Sequence, residues 1–331
     1  MPGLFSPVTV RRLRLKNRLV MPPMANQMAT PEGAVSDRHI SHYTARARAG
    51  VGLIVVEHAY VRREGRLRPT QLGVYDDDLI PGLRRLAAEV HLAGAAIGCQ
   101  INHGGAKSSA AVTGEQPGGP SDVPPPGASE QPRPLTREEI REIVVAFGQA
   151  ARRAAEAGFD VVEVHGAHGY LLSQFLSPLT NRRADEYGGD ETRRQRLPLE
   201  VLGEARRVLG SDFPIFYRFG ADDLVEGGIG PEDARRVAPA LAAAGADVLD
   251  VSGGLGGSGA DRFAEQGFFV PLAHSLKSAS DALVVGIGNI REPEYADRVI
   301  REGLVDLVAV GRAQLEDADW AAKAALRLAG G

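Results

Sequence analysis

Eight short β-rich runs, each bounded by glycine, proline or charge, recur along the chain and constrain its fold more than any other feature. They fall at 18–22, 52–57, 96–101, 160–165, 214–219, 247–252, 282–288 and 306–311. Amphipathic stretches at 37–49, 83–93, 137–157, 193–209, 231–244 and 294–302 lie between most of them, so strand and helix alternate. Start and stop signals agree with that spacing. Thr136 with Glu139 forms a capping box, Pro231 suits a first helical position, and Gly94, Gly158, Gly245 and Gly303 follow helices as terminators. Eight repeats of a strand–helix unit predict a closed (β/α)8 barrel, a TIM barrel, rather than an open sheet.

The 331 residues, 44% of them apolar, are enough for one such barrel or for two smaller domains. No shift in composition divides the alternating series, so a single domain over 1–331 is expected. One long irregular piece, 103–134, rich in Gly, Pro and Ser, follows the third run; with both flanks in the series, it is read as a lid over the barrel mouth. A formal charge of −4 with scattered arginines argues against nucleic acid as a partner. The single cysteine, Cys99, excludes an intrachain disulfide and any four-cysteine metal site. The N-terminus MPGLFSPVTVRRLRLKN has no apolar signal core, and no stretch reaches the ~18 apolar residues of a membrane span. A cytoplasmic protein that does not engage the membrane is expected.

Barrel enzymes work at the C-terminal ends of their strands. Here those ends carry Met24, His58, Gln100 and His103, then His165, His168 and Tyr170, then Arg218, Ser252 and Gly253, Gly288, and Gly311 with Arg312. Period-2 alternation in Val161, Val162, Glu163, Val164 and His165 sets Glu163 and His165 on one face and two valines on the other. His165, His168 and Tyr170 thus place three proton-handling side chains within six residues, suited to binding and protonating a polarised oxygen or carbon. Glycines after the last two runs, beside Arg312, describe a phosphate site of backbone amides.

Other readings of the same residues stay open at this point. Glu163, His165 and His168 offer a carboxylate and two imidazoles to a metal, as in a metal-dependent barrel hydrolase. Gly254, Gly256 and Gly259 satisfy G-x-G-x-x-G, but Ala260, Asp261, Arg262 and Phe263 open no amphipathic helix, so the segment reads as an active-site loop. His103 lies nearer the site, with structural duty in its glycine turn an equal reading, and Cys99 reads as packing.

The block HGAHGYLLSQFLSPLTNRRADEYGGDETRRQR resembles the Old Yellow Enzyme family of FMN-dependent ene reductases. LKNRLVMPPM, QINHGG, YRFGADD and GNIREPEYADRVIREGLVDLVAVGR extend the likeness from residue 4 to about residue 323. The resemblance implies tightly bound FMN with NAD(P)H as reductant. Its phosphate would lie near Gly288, Gly311 and Arg312. Pro23, Met24, Ala25 and His58 would lie close to the flavin, Gln100 would bond its pyrimidine, and Arg218 would stand near N1 and O2, where a cation stabilises the reduced anion. It also implies that His165 and His168 hold the carbonyl oxygen of an activated alkene (an enone, enal or maleimide), and that Tyr170 protonates the α-carbon. No metal is implied, and a homo-oligomer, dimer or tetramer, is expected.

The sequence departs from the family at several positions. Ala25 replaces a cysteine or threonine that touches the flavin. His58 stands where a small residue is usual and either crowds the site or adds a donor. Ala106 replaces an arginine, Gln27 an aromatic, and LRLAGG lacks a terminal arginine finger. The cysteine cluster and nucleotide-binding extension of dienoyl-CoA reductases and amine dehydrogenases are absent from it, which makes those activities less expected; a flavin-dependent dehydrogenase or demethylase, or a dienoyl-CoA reductase-like enzyme, is the alternative within the family.

Overall fold

Two three-residue strands, β1 (Val8–Val10) and β2 (Leu13–Leu15), pair antiparallel at the start of the computed structural model, which describes residues 2–259 and 262–330. The barrel strands follow: β3 (Leu19–Met21), β4 (Leu53–Tyr60) and β5 (Ala96–Asn102). After the short pair β6 (Gly118–Gly119) and β7 (Arg133–Pro134) come β8 (Val161–Gly166), β9 (Ile215–Asp222), β10 (Val248–Gly253), β11 (Leu283–Gly286) and β12 (Leu307–Ala309). The eight barrel strands close in the order β10-β11-β12-β3-β4-β5-β8-β9, every pair parallel. The expected (β/α)8 TIM barrel is the observed fold.

Alternation along the strands builds two cores. Leu53, Val55, Val161, Phe216 and Val248 point to the axis and meet Val10 and Leu15 of the hairpin, which plugs the N-terminal end. Ile54, Val56, Val162, Val164, Tyr217 and Leu249 point outward under the helices. Helix Arg137–Glu156 shows why the outer layer holds: Ile140, Ile143, Phe147, Ala150, Ala151 and Ala154 recur at helical spacing and are all buried. Phe147→Ala would cost ~3–5 kcal/mol through lost burial and a cavity. The same helix starts at the expected box, with Glu139 N–H donating to Thr136 Oγ1 at 3.2 Å and Thr136 N–H to Glu139 Oε2 at 2.7 Å.

Several expectations need correction. The strand expected over 282–288 ends at Gly286 and that over 306–311 at Ala309, because the residues beyond them turn away to form the cavity wall. The helix expected from 193 is broken at Gln195 into Glu191–Arg194 and Arg196–Leu209. No residue of 103–134 forms part of the wall of the cavity at the barrel mouth, though Lys107 of that segment meets its rim, donating to His168 O at 2.8 Å. That segment lies beside the β8 end, folded by the β6–β7 ladder and by Ser121 Oγ, which donates to Thr180 O. Ala106 N–H donates to the buried Gln174 Oε1, 3.0 Å away, fixing the segment's first turn. Ala260 and Asp261 of the glycine loop lie outside the described residues; the next helix begins at Val270.

Candidate active site

A cavity of about 340 Å³ opens at the C-terminal ends of the strands, within the size range of small-molecule sites, about 300–1,000 Å³. Pro23, Met24, Ala25, His58, Gln100, His165, His168, Tyr170, Arg218, Gly288, Gly311 and Arg312 all line it, so the residues expected to meet flavin, carbonyl oxygen and proton share one cavity. His103 does not; it is buried and its Nδ1 accepts from Gly105 N–H at 3.0 Å, the structural one of its two readings.

His165 leaves β8 on the inward face. Its Nδ1 accepts from Ala167 N–H at 3.2 Å, so in the neutral ring the proton sits on Nε2. Burial, with His168, His58, Arg218 and Lys107 adding positive charge, holds it well below the usual imidazole range and so neutral. His168 adopts a left-handed backbone, φ 59°, followed by Gly169 at φ 69°. Such a turn strains a non-glycine residue and needs support from its surroundings. The support is explicit: His168 N–H donates to Gly253 O at 2.9 Å, and Lys107 Nζ donates to His168 O at 2.8 Å. His168 Nε2 lies 2.8 Å from Ser252 Oγ. The imidazoles of His165 and His168 stand edge to face, centroids 5.0 Å apart, and the Tyr170 ring is 4.9 Å from His165. Burial raises the Tyr170 phenol, keeping it protonated at neutral pH.

His58 reaches the cavity through a bulge. The β4–β5 register shifts between Val56 and Ala59, so Glu57 turns outward to His39 Nε2, 2.8 Å away, and His58 turns in. Beneath the cavity floor Gln100 Nε2 donates to Glu163 Oε2 at 2.6 Å, and Arg218 Nη1 to Asp250 Oδ2 at 2.6 Å. Glu163 is therefore engaged below the histidines rather than beside them, and among the described residues no three His, Cys, Asp or Glu converge on a metal position. Asp250 and Ser252 follow Val248 on the inward face, so the alternation that revealed Glu163 also contained them. Phe268 and Phe269, which form part of the wall, and Lys107 carried no comparable signal.

The opposite wall is backbone. Gly288 has φ +124°, and a Cβ there would lie 2.8 Å from Phe268 N; a Cβ at Gly311 would approach Met24 Sδ to 3.2 Å. The positive φ and the clash with the Phe268 backbone call for glycine at 288, and a side chain at 311 would crowd Met24. A closed parallel barrel with bare amides and an arginine on one side of its mouth, and neutral proton donors on the other, defines a cofactor-dependent barrel enzyme.

Comparison with known proteins supplies the family. The profile of the NADH:flavin oxidoreductase / NADH oxidase family matches residues 3–330, and the chain belongs to that family. It is 46% identical over 330 residues to the NADH oxidase of Thermoanaerobacter brockii, covering 98% of this chain and 50% of that protein. It is 40% identical over 326 residues to the NADPH dehydrogenase of Geobacillus sp. (strain WCH70), covering 98% and 94%. The chain thus spans half of one relative and nearly all of the other. Among solved structures, morphinone reductase in complex with tetrahydroNAD aligns with a TM-score of 0.87 at 29% identity, covering 99% of this chain and 91% of that one. The old yellow enzyme homologue from Zymomonas mobilis aligns at 0.85 and 27% identity, covering 96% and 91%. The resemblance read from the sequence holds: this is an FMN-dependent, NAD(P)H-linked oxidoreductase of the Old Yellow Enzyme type.

The residues present fit FMN. Arg218 Nε–H is buried without a partner, a donor of the kind a pyrimidine oxygen or nitrogen would satisfy. The glycine-walled side suits a phosphate, with Arg312 exposed beside it.

Proposed function

We propose that this protein reduces the C=C bond of activated alkenes, namely enones, enals and maleimides, at the expense of NAD(P)H. The observation carrying this reading is the convergence of His165, His168 and Tyr170 on one cavity, the first with its Nε2 proton fixed by Ala167. Gly288, Gly311 and Arg312 would hold the FMN phosphate. Pro23, Met24, Ala25 and His58 would flank the ring system, while Gln100 and Arg218 would meet its pyrimidine. Bound FMN supplies the hydride, taken from NAD(P)H and delivered to the β-carbon of the alkene.

The protein's own part is electrostatic and protonic. Neutral imidazole N–H groups of His165 and His168 bind the substrate carbonyl oxygen and strengthen their bonds as negative charge gathers there. Tyr170 holds its proton at neutral pH and delivers it to the α-carbon. Lys107, gripping the His168 carbonyl, keeps the left-handed turn from relaxing. We read the protein as a single-domain cytoplasmic enzyme that assembles as a dimer or tetramer. No helix among the described residues is long and apolar enough to cross a membrane.

The experiment is anaerobic. NADPH should bleach the yellow full-length protein, and cyclohexenone added afterwards should restore the oxidised spectrum with stoichiometric formation of cyclohexanone. A reduced protein that responds to oxygen but not to the enone contradicts the assignment.

A further inference from the structure

Four polar side chains on the inward face meet at the cavity floor, Gln100 and Arg218 lining it and Glu163 and Asp250 beneath, all 4% exposed or less. The strand register explains the grouping. Glu163 pairs with Phe216 and Asp250 with Arg218, so the two carboxyls flank β9 from either side and face each other inside. Each has one oxygen accounted for, Glu163 Oε2 by Gln100 and Asp250 Oδ2 by Arg218. Each also has one buried oxygen with no donor, Glu163 Oε1 and Asp250 Oδ1. Each carboxyl shifts the acidity of the other, as neighbouring buried carboxyls do.

Two acceptors facing each other in a buried site repel unless a proton lies between them. An unpaired polar atom there costs ~1–3 kcal/mol, and more if charged. Two carboxylates beside one arginine would also leave a net negative charge under the flavin, offsetting the charge Arg218 presents. One proton satisfies both orphaned oxygens and removes that charge.

We propose that Glu163 and Asp250 hold a single proton between them, with Glu163 as the neutral acid and Asp250 as the carboxylate paired to Arg218. Glu163 is then a positioning residue. It donates to Asp250 Oδ1 and accepts from Gln100 Nε2, which turns the Gln100 carbonyl toward the cavity. It also leaves the Glu163–Arg218–Asp250 cluster neutral rather than anionic overall. Its consequence for the flavin rests on the function proposed above; the protonation itself does not.

Burial, and then the neighbouring Asp250 charge, push the Glu163 carboxyl well above the usual range, against Arg218 and the Gln100 hydrogen bond. Burial also raises Asp250, against its bond to Arg218. A group whose acidity is weakened by folding stabilises the fold fully below its unfolded value and progressively less as pH rises toward its folded value. Wild type should therefore lose stability relative to Glu163→Gln as pH rises above the ordinary glutamate range, because glutamine carries the same donor and acceptor at every pH.

Infrared difference spectroscopy of the full-length protein, wild type against Glu163→Gln, tests the proton directly. The wild type should show a protonated-carboxyl C=O band at neutral pH that shifts in deuterium oxide and is missing in Glu163→Gln. Glu163→Gln should melt no lower than wild type near pH 7, whereas Asp250→Asn, which strips buried Arg218 of its counter-charge, should melt well below it. Absence of the band in wild type, or its survival in Glu163→Gln, overturns the proposal. If Asp250→Asn does not fold, the band and the Glu163→Gln melting series still decide. Failure of enone reduction with the band present would sink the functional reading alone.

Discussion

Gln71 Nε2 lies 2.7 Å from His58 Nδ1, and this contact decides what His58 can do. The Gln71 amide is itself oriented, since its Oε1 accepts from Leu67 N–H at 2.7 Å. Its nitrogen must therefore donate, His58 Nδ1 must accept, and the neutral ring carries its proton on Nε2. Burial holds His58 below the usual imidazole range, so that neutral form persists at pH 7. The residue that stands where relatives have a small one adds a donor to the cavity and does more than narrow it.

His58→Phe keeps the bulk and removes the donor. If His58 bonds the ligand, KM for a maleimide should rise about 3- to 10-fold, as expected for one neutral hydrogen bond. An unchanged KM in steady-state assays would show that the ring acts by size alone.

Replacing His165 or His168 singly with alanine should weaken binding of a substituted phenolate about 10- to 100-fold, the range for a hydrogen bond to a charged group. The double replacement should abolish the long-wavelength band that a phenolate forms with the flavin. Titration of that band reads both effects, and its persistence in the double variant would remove the imidazoles from oxyanion binding.

Acid should destabilise the fold before ordinary carboxylates protonate. Burial pushes His42 and His103 down to about 4, and His58, His165 and His168 lie below the usual range for the same reason. Between about pH 6.5 and about pH 4 the unfolded chain binds protons that the fold refuses, so stability falls as pH falls. His103 alone contributes on the order of 3 kcal/mol over that window. Urea midpoints should drop across it, and drop less in His103→Asn, whose amide oxygen can still accept from Gly105 N–H.

Lys107→Met removes the bond that braces the left-handed His168 turn. Phenolate affinity should fall several-fold while the flavin stays bound, a difference visible by comparing ligand and flavin titrations. Equal affinity in the variant would mean the turn holds without it.

The sequence made the barrel and most of its rim readable for physical reasons. Strands buried on both faces must be short apolar runs, so β4, β5, β8, β9 and β10 stood out, and period-2 alternation put Glu163 and His165 inside. The same rule covered Asp250, whose importance emerges only when Arg218 is seen beside it. The β1–β2 hairpin escaped because strands of three residues carry too little pattern. The packing of segment 103–134 against Gln174 and Thr180 was not legible because it is a long-range matter that local composition does not encode. The bulge that turns His58 inward is likewise a property of two strands together.

Double-mixing stopped flow of Tyr170→Phe against wild type tests the central claim most directly. The claim is that Tyr170 gives its proton to an alkene whose oxygen the imidazoles hold. The account predicts that NADPH reduces both proteins at similar rates, and that the variant then reoxidises with cyclohexenone about 100-fold more slowly or worse, the usual worth of a general acid. Reoxidation of Tyr170→Phe at the wild-type rate would contradict it.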